Sequence, residues 1–370
     1  MATILFYTPF NNRSRDTESL MIAFKQQGHK VIFLTQQEGK LINTFLVESG
    51  IDSYAHVIKR PKADLLYYFK HLFFFISFCW RHKIEIVYCH LEPACFVASV
   101  GQFFIRARVF LCRHHIDEGR LYNFDKNLSY RITYALARQI IVVSAHAKKY
   151  MVEMEGISPD KIRHINLAYD FSLYRKCDPL IVNEIRQKFQ ADLLLLSVCR
   201  MTLFKRPHLA IETLKILADQ NIDAKLILLG RGELESELNQ VIKELDLGNK
   251  VFMLGHVDNV LEYMAAANFL LHPSLLESSC VAIKEAGLVK LPVVVCEGVG
   301  DFDDYLINKT NGFVVNREHF VKDASELLID YFKNKELLQE IGANLNTTIN
   351  NLFDLKNVIG EYAPLNKIAG

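Results

Sequence analysis

The feature of this chain that most constrains its fold is an alternation of short apolar runs with longer stretches of helical periodicity. Strands that are buried on both faces and separated by helices are typical of parallel sheets with helices on each side. We therefore predict an α/β protein. The candidate strands are TILFYT, HKVIFLT, EIVYCH, RVFLCRH, QIIVVS, KIRHINL, LLLLSVCR, AKLILLG, KVFMLGH, NFLLHPS, PVVVC and GFVV.

The candidate strands form two series, one in each half of the chain, and this indicates two doubly wound, Rossmann-like domains. The segment 170–192 lies between the two series, and we expect the domain boundary there. With 370 residues, of which 50% are hydrophobic, the chain can supply a full core to each domain.

Cysteine usage and the amino terminus indicate a cytoplasmic protein. Eight cysteines are scattered through mostly apolar runs without a Cys-x-x-Cys pair, which is typical of buried, reduced thiols. The stretch ATILFYTPF lacks a basic leader and a cleavage site, so we interpret it as a strand rather than as a signal peptide.

Charge is unevenly distributed along the chain. Residues 1–170 contain 22 Lys and Arg against 15 Asp and Glu, whereas residues 171–370 contain 21 against 27. A basic first half is expected of a protein that faces an anionic partner or surface. An uneven, solvated surface without such a role is the alternative that composition leaves open.

Residues 65–80, LLYYFKHLFFFISFCW, form the most apolar stretch of the chain. They are shorter than the roughly 20 residues that a membrane-spanning helix needs. One interpretation is a buried helix that packs against a sheet. The other is a helix that lies in a membrane surface, assisted by the basic residues Lys62, Lys70, Arg81 and Lys83 around it.

In an open parallel sheet, ligands bind beyond the carboxyl ends of the strands, so the residues after each candidate strand are the first candidates for a site. They are mostly polar and come from both halves of the chain, which predicts a site in a cleft between the domains. These residues are 8–13, His90, His114, His115, Ser144, 200–205, 230–232, His256, 274–277 and 297–301.

Two glutamates, Glu277 and Glu285, stand eight positions apart between the candidate strands NFLLHPS and PVVVC. We predict that Glu277 lies in the loop after the first strand. Glu285 is expected about two turns into a helix that begins near Ser278 or Ser279. Carboxylates can bind the hydroxyls of a sugar or a ribose, and the free N–H groups at the start of the helix can bind phosphate. The pair therefore predicts a site for a nucleotide sugar.

Arg200 and Lys205 follow the candidate strand LLLLSVCR and are separated by four residues. Two fixed cations at a strand end could hold a diphosphate and stabilise the negative charge that grows as it leaves. Two solvated cations are the alternative interpretation of this pair taken alone.

The sequence lacks a complete dinucleotide fingerprint and the zinc motif His-Glu-x-x-His. The Gly-x-Gly of LILLGRGELESEL has Glu235 where the fingerprint requires a third glycine, and the first strand is followed by TPFNNRSR, without a glycine-rich turn. We expect Gly230 and Gly232 to let the backbone turn close to a ligand or to begin a helix. His114 and His115 are adjacent and would point to opposite sides of one strand, so we predict no metal site.

In their order along the chain, these motifs resemble the retaining glycosyltransferases of family 4. The resemblance covers most of residues 80–320. It rests on Arg200-x4-Lys205, Gly-Arg-Gly at 230–232, KVFMLGHVDNV, HPSLLESSCVAIKEAG with its Glu-x7-Glu, LPVVV and NGFVV, and on RQIIVVSAHAKKYM and KIRHINLAYD near the end of the first domain.

The resemblance implies the glycosyltransferase-B fold, in which two doubly wound domains face each other. It implies an acceptor-side domain of residues 1–175 and a nucleotide-sugar donor domain of residues 190–350. Residues 351–370 would form a C-terminal helix that returns to the first domain. The implied reaction is transfer of a sugar from a nucleotide diphosphate sugar to an acceptor hydroxyl, with retention of configuration and with neither metal nor cofactor.

The resemblance also implies roles for individual residues. Arg200 and Lys205 would bind the donor diphosphate in place of a metal, and Glu277 would face the transferred sugar. Glu285 would bind the ribose hydroxyls. The further donor-side candidates are Gly232, Ser279, Cys280, Val281 and one of His114 and His115, with His114 preferred, and the acceptor-side candidates are Asn11 and Arg13.

Two positions of the second half depart from the family pattern, which usually has glycine where Cys280 and Lys290 stand. The loop after the first strand also departs, because it has Asn11-Asn12-Arg13 where the family often carries paired glycines. Cys280 restricts the backbone at the helix start that would face the phosphate. A nucleotide-sugar epimerase of the same fold, a nicotinamide-dependent oxidoreductase and a catalytically silent binding subunit are the alternative functions.

The basic first half and residues 65–80 together predict an acceptor at a membrane. We expect a lipid-linked or glycan acceptor, as in the synthesis of bacterial surface polysaccharide. The protein would then be cytoplasmic and peripheral on an anionic membrane face. We predict no nucleic-acid partner.

Overall fold

The computed structural model describes residues 1–37, 41–58, 64–114 and 128–366, with the backbone alone at 41–43, 64–65, 128–129 and 363–366. The chain divides into two compact units, each built around one parallel sheet. One unit comprises Met1–Leu173 and Phe353–Gly370, and the other comprises Tyr174–Leu352.

The sheet of the first unit has seven parallel strands among the described residues, in the order β3-β2-β1-β4-β5-β6-β7. The strand order reverses at β1, which lies between β2 and β4, as in doubly wound folds. The strands are β1 Thr3–Thr8, β2 Lys30–Thr35, β3 Asp52–Ala55, β4 Ile86–His90, β5 Arg108–Arg113, β6 Gln139–Val142 and β7 Ile162–His164.

Helices cover both faces of this sheet because successive side chains of a strand point to opposite sides. Leu5 and Tyr7 of β1 belong to one core cluster, and Ile4 and Phe6 belong to the other. The helices are α1 Arg15–Gln26, α2 Leu41–Glu48, α3 Asp64–Arg81, α4 Ala94–Gly101, α5 Leu128–Leu136 and α6 Ala145–Glu153.

The second unit contains six parallel strands in the order β10-β9-β8-β11-β12-β13 within the described part of the chain. They are β8 Leu193–Val198, β9 Ala224–Leu229, β10 Val251–Gly255, β11 Phe269–His272, β12 Val293–Cys296 and β13 Phe313–Val315. Its helices are α7 Pro179–Lys188, α8 Pro207–Asp219, α9 Glu235–Glu244, α10 Val260–Ala266, α11 Val281–Leu288, α12 Phe302–Tyr305, α13 Phe320–Tyr331 and α14 Lys335–Phe353.

The last helix, α15 Leu355–Asn366, belongs to the first unit although it follows the second in the chain. A backbone hydrogen bond from Tyr169 to Phe353 (2.8 Å) and one from Leu355 to Tyr169 (2.9 Å) join the returning chain to the end of the first unit. Tyr362 of α15 then packs edge-on against Phe24, with the ring centroids 6.1 Å apart. The helix therefore completes the core on one side of the first sheet.

The predicted fold class, two doubly wound α/β domains, is confirmed. Each candidate strand contains one of the observed strands. Only β3 was missed among the strands of the described chain. Its sequence, DSYA, is short, polar and mostly exposed at the sheet edge, so it lacks the apolar pattern that identifies a buried strand.

Helix α3 contains the apolar residues 65–80. Phe75, Phe78 and Cys79 are buried in the core of the first unit, which confirms the buried-helix interpretation for this face. The side chains of Phe69 and Phe73 lie on another face and are 48% and 70% exposed. Among the described residues, none of the helices has both the length and the apolar character that crossing a bilayer requires.

Lys290 ends the turn between α11 and β12, and its backbone has a φ of +60°, in the left-handed region. This conformation costs a residue with a side chain roughly 1 kcal/mol or more, whereas glycine adopts it freely. The neighbouring chain fixes the turn: a Cβ on Gly342 of α14 would lie 2.0 Å from the carbonyl oxygen of Lys290. The departure from glycine at this position is therefore a source of strain.

We predict that Lys290→Gly increases the free energy of unfolding by about 0.5–1 kcal/mol, because relief of the left-handed strain exceeds the added entropy of the unfolded chain. Denaturation with urea measures the change. The matched control is Lys322→Gly in α13, where glycine should lower stability by about 1 kcal/mol. A destabilised Lys290→Gly variant would contradict the strain.

Candidate functional site

The chain after β8 carries the two predicted cations. A 3₁₀ turn, Leu203–Lys205, follows the strand, and α8 begins at Pro207. Arg200 is exposed, and within the described residues its guanidinium has no hydrogen-bond or ion-pair partner. The side chain of Lys205 is only 15% exposed and is paired with Glu277. One cation is therefore available to a ligand, and the other is held by the protein.

Gly230 and Gly232 allow the loop after β9 to pack against the chain after β8. A Cβ on Gly230, whose φ is +126°, would lie 1.9 Å from the carbonyl oxygen of Cys199. A Cβ on Gly232 would lie 2.3 Å from that of Met201, and the Gly232 amide donates to Glu235. The glycines thus serve a close approach of two loops, rather than the start of α9 at Glu235.

Glu277 lies after β11, as predicted, and its carboxylate binds two cationic side chains. Lys205 forms a short ion pair with Oε1 of Glu277, and His272 Nε2 lies 2.5 Å from the same oxygen. Within the described chain, Oε2 has no protein partner. The side chain is 9% exposed. The protein thus fixes the carboxylate through one oxygen and leaves the other for a ligand.

These contacts determine the protonation states of Glu277 and His272. Burial alone would raise the pKa of Glu277, but His272 and Lys205 outweigh burial and lower it to about 2. Burial likewise disfavours the charged form of His272, yet Cys280 and Glu277 raise its pKa to about 10. Glu277 is therefore a carboxylate and His272 is an imidazolium near neutral pH.

Helix α11 begins at Val281, which corrects the predicted start near Ser278 or Ser279. Ser279 does not cap the helix because its hydroxyl donates to Asp301 Oδ2, at 2.6 Å. Cys280 occupies the N-cap position, where its side chain makes no capping bond. Glu285 is consequently little more than one turn into the helix, half-buried, rather than about two turns.

Asp301 and Lys284 form a buried ion pair beneath this helix start. Lys284 Nζ lies 2.5 Å from Asp301 Oδ2, and both side chains are at most 1% exposed. The loop that carries Asp301 also approaches the glutamate, since a Cβ on Gly300 would lie 2.7 Å from Cβ of Glu277. The loops after β11 and β12 are therefore locked together by one carboxylate and one close contact.

In the first unit, His114 follows β5 and contacts His90 at the end of β4. His90 Nδ1 and His114 Nε2 are 2.7 Å apart, and the two rings stack with centroids separated by 5.0 Å. Burial lowers the pKa of His90 well below its ordinary value, and His114 lowers it further. His90 is therefore neutral and fixes the orientation of His114. His115 lies outside the described residues.

The two acceptor-side candidates follow β1 in different environments. Asn11 is buried. Arg13 is half-exposed, and its guanidinium makes two bonds of 2.8 Å to the carboxylate of Glu18. It also lies over the ring of Phe45, 5.0 Å from the centroid. Arg13 is thus held against the first turns of α1 and α2.

Glu92 is a further buried carboxyl in the loop after β4. Its Oε2 accepts a hydrogen bond from the Phe96 amide at 3.0 Å, whereas Oε1 has no partner within the described residues. Burial raises the pKa of this carboxyl to about 7, despite the bonds from Thr133 and Phe96. Glu92 is therefore substantially protonated at neutral pH.

The sequence interpretation named Lys205, Glu277, Ser279 and Cys280, which the structure brings together. It missed two partners that position them, His272 and Lys284, and it included Asp301 only as part of the range 297–301, without a role. His272 is the last residue of an apolar run, and Lys284 stands among apolar helix residues, so neither has the polar surroundings of a typical site. A charged residue inside an apolar stretch was the available signal.

Two family models match the chain and together span most of it. The model described as Glycosyltransferase Family 4 matches residues 15–173, and the one described as Glycosyl transferases group 1 matches residues 182–347. The chain belongs to the family 4-type glycosyltransferases. It has the glycosyltransferase-B fold of that family. Each of the two family models matches one of the two Rossmann-like units.

Known glycosyltransferases are similar to this one over different shares of their length. The capsular polysaccharide biosynthesis glycosyltransferase CapM of Staphylococcus aureus is 21% identical over 345 residues, covering 90% of this chain and 88% of CapM. The UDP-Gal:α-D-GlcNAc-diphosphoundecaprenol α-1,3-galactosyltransferase of Escherichia coli is 22% identical over 259 residues, 63% and 65% of the two chains. Other relatives match over shorter stretches that cover under half of their own length.

Among solved structures, HepE of Anabaena, crystallised in complex with UDP, superposes on this glycosyltransferase with a TM-score of 0.84. The two sequences are 19% identical, and the superposition covers 98% of this chain and 99% of HepE. This similarity establishes the fold.

The buried carboxyl of Glu92 makes stability pH-dependent. Because its pKa is about 7 in the folded protein against 4.5 ordinarily, the folded state retains a proton that the unfolded state loses. We predict that, relative to Glu92→Gln, the wild-type free energy of unfolding decreases from about pH 4.5 to pH 7, by up to roughly 3 kcal/mol.

Denaturation of both proteins at several pH values measures this difference. Glu48→Gln, at an exposed position of α2, is the control and should remain parallel to the wild type. If the free energy of unfolding of Glu92→Gln also ran parallel to that of the wild type across this pH range, the pKa of Glu92 in the folded protein would be ordinary.

Proposed function

We propose that this glycosyltransferase transfers a sugar from a nucleotide diphosphate sugar to an acceptor hydroxyl, with retention of anomeric configuration and without a metal or other cofactor. The proposal rests on the different states of two cationic side chains at the strand ends of the second unit. Arg200 has an unengaged guanidinium, whereas Lys205 and Glu277 form a fixed pair.

The diphosphate would be bound by cations and by backbone amides. Arg200 supplies an unengaged cation, Lys205 supplies one that is already paired, and α11 supplies amide groups that no side chain caps. At an effective dielectric constant of 20, a charge pair at 4 Å interacts by about 4 kcal/mol. The N-terminus of the helix adds a partial positive charge on the same ligand.

Two carboxylates would bind the rest of the donor. Glu277 offers Oε2 to a hydroxyl of the transferred sugar, because its other oxygen is occupied by Lys205 and His272. Glu285, one turn into α11, would accept hydrogen bonds from the ribose hydroxyls. His114, oriented by His90, is the candidate of the first unit for a further hydrogen bond to the sugar.

In the proposed reaction, the bond between the anomeric carbon and the diphosphate oxygen breaks first. The acceptor oxygen forms its new bond to that carbon on the same face. The proton of the acceptor hydroxyl passes to the departing diphosphate oxygen, so no separate base is needed. Arg200 and Lys205 stabilise the charge that develops on the diphosphate, where it is larger in the transition state than in the bound donor.

The relatives support a nucleotide-sugar donor. HepE binds UDP in its crystal structure, and the Escherichia coli relative is named for UDP-Gal and a diphosphoundecaprenol-linked sugar. The same name supports a lipid-linked acceptor here, and the name of CapM supports a role in the synthesis of surface polysaccharide.

We predict that Arg200→Ala and Lys205→Ala each reduce kcat by roughly 10²–10³-fold, because each removes a cation that acts on the leaving group. The measurement is release of free nucleotide diphosphate in the presence of donor and acceptor, after a panel of nucleotide sugars has identified the donor by thermal shift. Lys243→Ala, at an exposed position of α9, is the matched control and should retain wild-type turnover.

Turnover within a few-fold of wild type in both variants would refute the roles of Arg200 and Lys205. Incubation of the donor without acceptor tests the alternative reaction. An isomerised sugar nucleotide in that mixture would identify an epimerase instead of a transferase.

The acceptor side is proposed to lie at a membrane. Four large apolar side chains of α3, which we name the α3 face, are 48–70% exposed: Leu66, Phe69, Phe73 and Trp80. At a membrane surface, such side chains enter the boundary between headgroups and acyl chains.

The exposed apolar surface extends beyond α3 to the loop after α4. Trp80 Nε1 donates to the carbonyl oxygen of Phe104 at 3.0 Å, and Phe103 and Phe104 are 51% and 59% exposed. Arg106 lies over the ring of Trp80, and Arg138 lies over that of Phe103. Aromatic rings beside guanidinium groups suit an anionic, lipid-linked acceptor at the cytoplasmic membrane face.

We predict that the protein sediments with anionic liposomes, less strongly at high salt, and that replacing Phe69 and Phe73 by serine weakens binding by roughly tenfold or more. Val47→Ser is the control, because Val47 is 69% exposed in the same unit but outside the α3 face. Phe75 is unsuitable for substitution since it is fully buried. Equal sedimentation of the Phe69/Phe73 variant and the wild type would exclude the α3 face as the contact.

A further inference from the structure

Three side chains of the second unit direct metal-binding atoms toward one point. Nε2 of His272, a carboxylate oxygen of Glu277 and Sγ of Cys280 lie within 4.8 Å of one another, the only such group found among the described residues. His272 Nε2 is 2.5 Å from Glu277 Oε1 and 3.5 Å from Cys280 Sγ. Because one ring nitrogen faces both partners, the three atoms converge, unlike a catalytic relay, in which histidine uses both nitrogens.

We propose that His272, Glu277 and Cys280 form a zinc site whose occupation inhibits the enzyme. Zinc takes imidazole, carboxylate and thiolate as ligands in proteins, so its binding here releases the Nε2 proton of the His272 imidazolium and the thiol proton of Cys280 to solvent. With zinc–nitrogen and zinc–sulfur bonds of the usual length, tetrahedral coordination separates these two atoms by about 3.6 Å. The observed separation between His272 and Cys280 is 3.5 Å. Tetrahedral coordination also requires Glu277 Oε1 to move away from His272 Nε2, by roughly one ångström or less.

Lys205 makes this site inhibitory. Its ammonium group occupies Oε1 of Glu277, the same oxygen that faces His272. A divalent cation bound to Nε2 and Oε1 would put a larger positive charge next to the ammonium group than the imidazolium does, and this repulsion opposes contact of Lys205 with the same oxygen. Zinc and the Lys205 ammonium group therefore compete for Oε1 of Glu277. The inhibitory effect rests on the proposed function, in which the Lys205–Glu277 pair serves the donor, whereas the binding itself does not.

The surroundings indicate reversible binding rather than a resident metal. A ligating histidine usually donates its second N–H to a protein group, and loss of that partner weakens metal binding by roughly 10–100-fold. Nδ1 of His272 is buried and has no partner within the described residues. Three protein ligands also leave the fourth zinc position to water or to an oxygen of a bound molecule.

Cobalt(II) spectroscopy on the full, untagged, chelator-treated chain tests the site. Cobalt(II) takes the place of zinc and produces a near-ultraviolet charge-transfer band when a thiolate is bound. We expect this band at one cobalt per chain and its loss when one equivalent of zinc is added. Absence of the band from the wild-type protein would overturn the proposal, whatever its activity.

Variants identify the ligands and the competitor. Cys280→Ser should abolish the band and weaken zinc binding by roughly 100-fold, measured by competition with a chromophoric chelator. Lys205→Met should tighten zinc binding, an effect that an unrelated surface site would not show. Cys199→Ala and Cys296→Ala control for the other thiols and should retain the band. Retention of both band and affinity in Cys280→Ser would refute the assigned ligand.

Activity distinguishes this inference from the proposed function. Zinc should inhibit sugar transfer by the wild-type enzyme, and a chelator should restore it. A chain that binds cobalt through Cys280 but transfers no sugar when metal-free would refute the proposed function and leave the metal site standing. A chain that transfers sugar but gives no thiolate band would refute only the zinc site.

Discussion

The candidate site depends on one electrostatic constraint, a largely buried carboxylate that shares a single oxygen between two cations. Burial of the Glu277 carboxylate is unfavourable by itself, and Lys205 and His272 together more than offset that cost. Removal of one partner from a buried pair leaves an uncompensated charge, which is more damaging than the pair is stabilising. Glu277, Lys205 and His272 therefore form one group of charges. This group holds the second carboxylate oxygen of Glu277 in place as a hydrogen-bond acceptor.

The sheet makes this constraint possible by ending adjacent strands at one edge. β8 is paired with β11, and β11 is paired with β12, so their following loops must lie side by side. The Lys284–Asp301 pair then fixes the loops after β11 and β12 from below, and the close approach at Gly300 leaves no room between them. The strands therefore place these loops next to each other, and the buried ion pair holds the loops after β11 and β12 in a fixed arrangement.

The sequence predicts the fold well because parallel strands produce long apolar runs that helices interrupt. It also predicts the places of the candidate residues in the fold, with Arg200, Lys205 and Glu277 after strand ends and Glu285 in the following helix. It does not predict their partners: His272 was read as part of a strand, and contact with Glu277 depends on the path of the loop. The start of α11 was misplaced because Ser279, a good cap by residue type, binds Asp301 instead.

Cys280 illustrates how one substitution changes the chemistry of a shared framework. A glycine at the N-cap of α11 would leave only backbone amides at the helix start, suited to phosphate alone. The thiol instead lies 3.5 Å from an imidazole that is already bonded to a carboxylate. The loop thereby acquires a soft thiol ligand beside an imidazole and a carboxylate, at the place where a donor diphosphate would be held. An anion and a metal ion would therefore compete for the same position. The ammonium group of Lys205 would favour binding of the anion and oppose binding of the metal ion.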